Sequence, residues 1–158
     1  MHGGYNCIFW GSENGFEDTT MLQSFDWDAH GLSVADLDNN GYLDLIFTGC
    51  RGFQEAFIYW GDSSGFNRSD TLHTDQCYGG SSVGDLNKDG YLDIVFHRGW
   101  QPGVSLTPCI YWGSESGYSD TNRTFFGFPI EGSGGTVADF NQDGDLDIFC
   151  NSYSTGNS

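Results

Sequence analysis

VADLDNNGYLDLIF, residues 34–47, sets Asp36, Asp38, Asn39, Asn40, Gly41 and Asp44 into an otherwise apolar run. Asp, Asn and Gly are depleted from strands, so this is either a spoiled strand or two strands with a purposeful joint. The stretch returns as VGDLNKDGYLDIVF at 83–96 and as VADFNQDGDLDIFC at 137–150. A second element alternates with it: CIFWGSENGF at 7–16, FIYWGDSSGF at 57–66 and CIYWGSESGY at 109–118, a period of about 50 residues. Two interleaved elements in three copies make this an internal repeat.

Each repeat reads as four short strands separated by glycine-rich or polar joints. In the middle unit they fall near Ser82–Gly84, Leu92–His97, Cys109–Trp112 and Thr124–Phe128. No apolar period of 3.6 residues competes, which excludes a helical solenoid. The fold class is therefore all-β, and four strands per repeat of this length predict the blades of a β-propeller. The whole of 1–158 forms one repeat region: a half-blade over 1–31, blades over 32–81 and 82–134, and a half-blade over 135–158. Two full blades and two complementary halves fall short of the roughly four to eight blades of a closed propeller. The expected partners are further blades, supplied by head-to-tail self-association into a ring or filament or by the rest of a longer chain.

Aligned, the joints run Asp36, Asp38, Asn40, Asp44; Asp85, Asn87, Asp89, Asp93; and Asp139, Asn141, Asp143, Asp147. Oxygen side chains thus stand at positions 1, 3, 5 and 9, with glycine at 6 (Gly41, Gly90, Gly144). A hard cation such as Ca²⁺ takes roughly six to eight oxygens, and a tight loop with glycine at position 6 lets them converge. An EF-hand carries a bidentate Glu at position 12, where this chain has Phe47, Phe96 or Cys150. The flanks are β-type residues, so the reading is strand, nine-residue loop, strand. The plain alternative is an Asx-rich turn without metal.

The motif resembles the FG-GAP or VCBS-type repeats of integrin-like β-propellers, whose Asp-x-Asp/Asn-x-Asp/Asn-Gly-x-x-Asp loops bind Ca²⁺, and the resemblance covers nearly the whole chain. It implies about three Ca²⁺, held by the twelve side chains above, with Tyr42, Tyr91 and Asp145 lending backbone carbonyls. No Gly-Ala-Pro follows the second strand, which points away from the integrin branch.

Composition sets further bounds. A formal charge of −17, from 5 Lys+Arg against 22 Asp+Glu, repels nucleic acid and anionic membrane surfaces and favours cations. No apolar stretch approaches about 18 residues, so no membrane insertion is expected, and any export signal is expected outside the sequence. The five cysteines show no zinc-type spacing. Aligning Cys150 with Thr48 and His97, and Cys7 with Phe57 and Cys109, gives only the junction blade a cysteine on both strands. That predicts a Cys7–Cys150 disulfide, against two buried thiols.

Asn67-Arg-Ser and Asn122-Arg-Thr are N-glycosylation triplets. Asp18, Asp70 and Asp120 recur after the Trp-Gly turn and read as turn-formers. Nothing pairs His2, His30, His73 and His97 for zinc, and no catalytic motif is present. The resulting expectation is a non-enzymatic, extracellular or cell-surface calcium-stabilised scaffold of structural or adhesive type. A lectin stacking sugars on Trp27 or Trp100 is the alternative. A lyase or glycosidase using acids such as Asp26, Asp28, Glu55 and Glu131 is more distant.

Overall fold

A computed structural model describes residues 5–23, 30–49, 55–74, 79–97, 107–127 and 134–151. Cys50, Cys77, His2, Trp27, Trp100, Asp26, Asp28 and Glu131 lie outside them. The described residues are all-β, with no helix among them. Among the described residues twelve strands form four antiparallel sheets.

β1 (Tyr5–Ser12) and β2 (Gly15–Gln23) form a two-stranded sheet. β3 (Gly31–Ala35), β4 (Asp44–Thr48), β5 (Glu55–Asp62) and β6 (Gly65–His73) form a four-stranded meander. β7 (Ser81–Gly84), β8 (Asp93–Phe96), β9 (Cys109–Tyr111) and β10 (Arg123–Phe125) repeat it. β11 (Gly135–Ala138) and β12 (Asp147–Cys150) form a second two-stranded sheet. The opening stretch is thus two strands and a loop, with β3 paired to β4 from Gly31↔Thr48 to Ala35↔Asp44.

The second strands of the meanders are apolar on both faces, as befits a strand sandwiched between sheets. Ile46 and Ile58 turn toward the second meander, where they meet Ile94, Phe96, Cys109 and Tyr111 in one core. Leu45, Phe47 and Tyr59 turn the other way, onto Leu22 and Ile8 of the first sheet. Sheets therefore stack face to face in chain order. Hydroxyls tie the two meanders together: Ser33 Oγ on β3 donates to the Ser81 carbonyl on β7 at 2.6 Å, and Thr48 Oγ1 at the end of β4 to that of Gly79, just before β7, at 2.8 Å.

The ladders shift one alignment by a residue. Leu45↔Tyr59, Ile46↔Ile58 and Phe47↔Phe57 pair in the first meander, and Ile94↔Tyr111, Val95↔Ile110 and Phe96↔Cys109 in the second. Counted from Asp44, Asp93 and Asp147, Cys150 corresponds to Phe47 and Phe96, not to Thr48 and His97. Within the single chain Cys7 and Cys150 are free thiols, Cys7 exposed and Cys150 half-buried.

The recurrent acids are not uniform turn-formers. Asp18 and Asp70 lie within strands β2 and β6. Asp70 Oδ2 accepts the Trp60 indole N–H at 2.7 Å, where Thr20 serves Trp10 and Thr124 serves Trp112. The second meander carries two extra residues in this hairpin, which leaves Asp120 in a turn, accepting from the Tyr111 hydroxyl at 2.7 Å.

Candidate metal centre

Each loop bridges the first and second strands of its sheet, and the three share one backbone path. Position 4 is left-handed at Asn39 (φ 57), Lys88 (φ 61) and Gln142 (φ 62), as is position 6 at Gly41 (φ 89), Gly90 (φ 90) and Gly144 (φ 91). A φ near 90° is strained for any side chain, which is why glycine recurs at position 6.

The side chains fold inward onto their own amides. At position 1, Asp36 accepts the amides of Asn40 and Gly41 at 3.0 and 2.8 Å. Asp85 takes those of Asp89 and Gly90, and Asp139 those of Asp143 and Gly144, in the same way. The position 5 oxygen of Asn40, Asp89 or Asp143 accepts the amide of Tyr42, Tyr91 or Asp145 at 2.7 to 2.9 Å. The position 9 acids Asp44, Asp93 and Asp147 each accept the position 2 amide, from Leu37, Leu86 and Phe140.

Every loop carries three carboxylates and one amide among its four positions, dealt in two orders. In the first loop the amide is Asn40, whose Nδ2 donates to the Gly61 carbonyl at 2.9 Å, while Asp38 faces Arg68 at 3.7 Å. In the others it is Asn87 or Asn141, donating to Asp89 or Asp143 at 2.9 and 2.8 Å. Oxygens of Asp36, Asp38 and Asp44 converge within 4.8 Å of one another, so this trio could hold a cation; among the described residues no other acid trio converges so closely.

One contact was not legible in the motif. The second oxygen of Asp44 accepts the Gly61 amide at 2.7 Å, and that of Asp93 the Gly113 amide at 2.8 Å. The loop is thereby fastened to the Trp-Gly element of the third strand, which is why the two repeated motifs travel together. It also accounts for the glycine: a Cβ on Gly61 or Gly113 would sit on the carbonyl of Leu43 or Leu92.

Asp44 and Asp93 are fully buried. Burial first, and then the charges of the acids at positions 1 and 3 or 5, push both carboxyls above the ordinary range, while the two amide bonds pull the other way. A carboxylate in such a place is helped by a cation. Asp143 is exposed and held low, first by the Asp145 amide and then by Asn141. Lys88 reaches across from the second loop to pair with Asp145 of the third.

The other candidates separate from this centre. Asn67 and Asn122 are both exposed, on β6 and in the turn before β10. His97 is buried, with Nε2 2.8 Å from Ser82 Oγ and Nδ1 3.6 Å from Cys150 Sγ. A cavity of about 500 Å³ opens beside the first loop, lined by Asp38, Trp60, Arg68, Asp70, Glu115 and Tyr118. Arg68 covers the Trp60 ring at 4.5 Å. No family model, curated protein or solved structure matches the chain.

Proposed function

We propose that the chain is a Ca²⁺-stabilised β-propeller segment of the FG-GAP or VCBS type, a non-enzymatic extracellular scaffold that assembles with further blades. The observation that carries this is the triple recurrence of one loop path, with the same backbone amides bonded to positions 1, 5 and 9 and the same sum of three carboxylates and one amide. Such a donor set is all oxygen, as a hard cation requires. Asp36, Asp38, Asn40 and Asp44, with the Tyr42 carbonyl, would hold one ion, and the aligned residues of the other loops one each. The carboxylate oxygens keep lone pairs beyond those their amide bonds use.

Bound there, a divalent ion supplies charge neutralisation and no reaction chemistry. The residues do the structural work: Asp44 and Asp93 at position 9 anchor their loops to the Trp-Gly element, and glycine at position 6 makes the turn. Extracellular modules bind Ca²⁺ at roughly 10⁻⁴ to 10⁻³ M, within reach of a site built from short loops. Calorimetric melts in excess Ca²⁺ and in excess chelator test the reading. Ligand at a hundredfold over Kd adds about 2.7 kcal/mol per site, so the melting temperature should fall sharply on chelation. An unchanged melting temperature sinks the calcium reading.

Glycan binding is the second reading, favoured by the cavity between the two meanders, where Asp70, Glu115 and Tyr118 offer hydrogen-bonding edges beside the Trp60 ring. Binding on a glycan array that is lost in Trp60→Ala, with the fold retained, would support it.

A further inference from the structure

Trp60 and Trp112 hold the same place in the two meanders but face different residues across the hairpin. Opposite Trp60 is Arg68, whose guanidinium lies 4.5 Å over the indole ring and whose Nη2 stands 3.7 Å from Oδ2 of Asp38, at position 3 of the first loop. Tyr118 stacks on the same indole, with centroids 6.5 Å apart and 24° between the planes. Trp60 therefore lines the cavity of about 500 Å³ while being only 7% exposed. Opposite Trp112 is Asn122, whose carbonyl accepts the Trp112 amide, and position 3 of that meander's loop is Asn87. The arginine and the position 3 carboxylate thus occur together in one meander and are both asparagine in the other.

We propose that Arg68 is a built-in competitor for the first metal loop, holding Asp38 and covering Trp60 until a divalent cation loads the loop, and giving up both when it does. The proposal rests on the calcium reading above and adds the regulation of that site. Of the converging trio, Asp44 is buried, Asp36 is half-buried and Asp38 is exposed, so Arg68 sits on the acid that solvent reaches. A guanidinium and a divalent cation sharing one carboxylate repel each other. Near a protein surface at ordinary ionic strength, one such charge changes the affinity for a divalent ion by roughly three- to tenfold. Arg68 is also easily moved. Its 3.7 Å pair is longer than the roughly 2.7 to 2.9 Å of a charge-assisted hydrogen bond, and its side chain is 61% exposed, where ion pairs contribute little. Glu115 lines the same cavity and offers the released guanidinium another anion.

The displacement bears on the cavity as well as on the loop. While a cation lies over the Trp60 ring, that face has no room for the apolar face of a ligand. Once Arg68 leaves, the ring opens toward Asp70, Glu115 and Tyr118 of the same lining. Glycan stacking on Trp60, the second reading above, then requires a loaded first loop. The coupling is reciprocal: whatever Arg68 costs the ion in affinity, the ion costs Arg68 in its hold on Trp60. The second loop is built otherwise. Asn87 at its position 3 is neutral and donates to Asp89 at 2.9 Å, and Lys88 is committed to Asp145 of the third loop. A side chain from outside the motif therefore sets the first loop apart from the second.

The test titrates the isotope-labelled full chain with Ca²⁺ and follows by NMR the indole N–H signals of Trp60 and Trp112, identified with Trp60→Phe and Trp112→Phe. Arg68→Met keeps an unbranched stem over the ring and removes the charge. It should bring the Trp60 midpoint to roughly three- to tenfold lower Ca²⁺ and leave the Trp112 midpoint in place. Arg68→Lys should restore most of the wild-type midpoint. Acrylamide quenching of Trp60, taken as the difference between the wild type and Trp60→Phe, should rise on adding Ca²⁺ and stay flat in Arg68→Met. Equal Trp60 midpoints in the wild type and Arg68→Met overturn the proposal, as does wild-type quenching that ignores Ca²⁺ while the Trp60 signal titrates. The calcium reading fails in a different way, and takes the proposal with it: neither indole signal moves in any variant, and the melting temperature is indifferent to the ion.

Discussion

Acidification should destabilise this protein through one residue outside the Asp-rich loops. His97 is 1% exposed, between Ser82 and Cys150, and burial lowers its pKa from 6.5 to about 4. The folded chain therefore holds His97 neutral at pH values where the unfolded chain has already taken up a proton. The stability this contributes is full above the unfolded pKa and is lost as the pH falls through 6.5 toward 4. A shift of 2.5 units corresponds to about 3 kcal/mol over the whole span, and to about 2 kcal/mol between pH 7 and 5. Urea unfolding of the wild type and of His97→Gln at intervals across that range isolates the effect. The buried acids Asp44 and Asp93, raised by burial, titrate in both proteins and cancel in the difference. The wild type should lose about 2 kcal/mol more than the variant between pH 7 and 5. Parallel profiles, or an imidazole NMR midpoint in the folded state near 6.5, would refute the reasoning.

Other outcomes can be checked with simpler means. Gly61→Ala drives a methyl onto the Leu43 carbonyl and disturbs the amide that Asp44 accepts. Chemical denaturation should show a loss of about 1 to 3 kcal/mol, and calcium titration a weaker site. Asp93→Asn keeps the shape but replaces one of two accepting oxygens with a donor facing the Leu86 or Gly113 amide. It should cost about 1 to 3 kcal/mol by the same measurement. Ile46→Ala, at a fully buried position, should cost about 2 to 5 kcal/mol. Leu32→Ala, at 54% exposure, should move unfolding by under about 0.5 kcal/mol. Expressed through a glycosylating secretory route, Asn67 and Asn122 should both carry glycans, seen as two mass steps removed by glycosidase.

Sequence alone carried the strands and loops far because the repeat supplies its own alignment. Three copies of one pattern show which letters matter, and short apolar β-type runs on either side of Asp and Gly read directly as strand, turn, strand. What stayed hidden was long-range. No spacing rule ties Asp44 to Gly61, because the bond crosses from a loop to another strand, 17 residues away. Trp60 finds Asp70 across a bulged hairpin, so Asp70 looked like a turn residue when it is an indole acceptor. Two extra residues in the second meander's hairpin blurred the alignment of Asp120. The place of Cys150, by contrast, was legible: the repeat sets it with Phe47 and Phe96 rather than with Thr48 and His97, and a slip of one residue moves a side chain to the other face of the sheet. Burial of His97 depends on β11 passing over it, which only the stacking of sheets decides.

The two orders in which carboxylate and amide are dealt bear on how such a loop can vary. Asp38-x-Asn40 and Asn87-x-Asp89 give the same total charge around one centre, so the loop is constrained as a sum rather than letter by letter. Exchanging the two residues in the second loop, as Asn87→Asp with Asp89→Asn, leaves the sum unchanged and alters only local bonds. Either substitution alone shifts it by one unit. A paired, offsetting exchange therefore preserves the charge that the loop presents to a cation, whereas a lone one raises or lowers it.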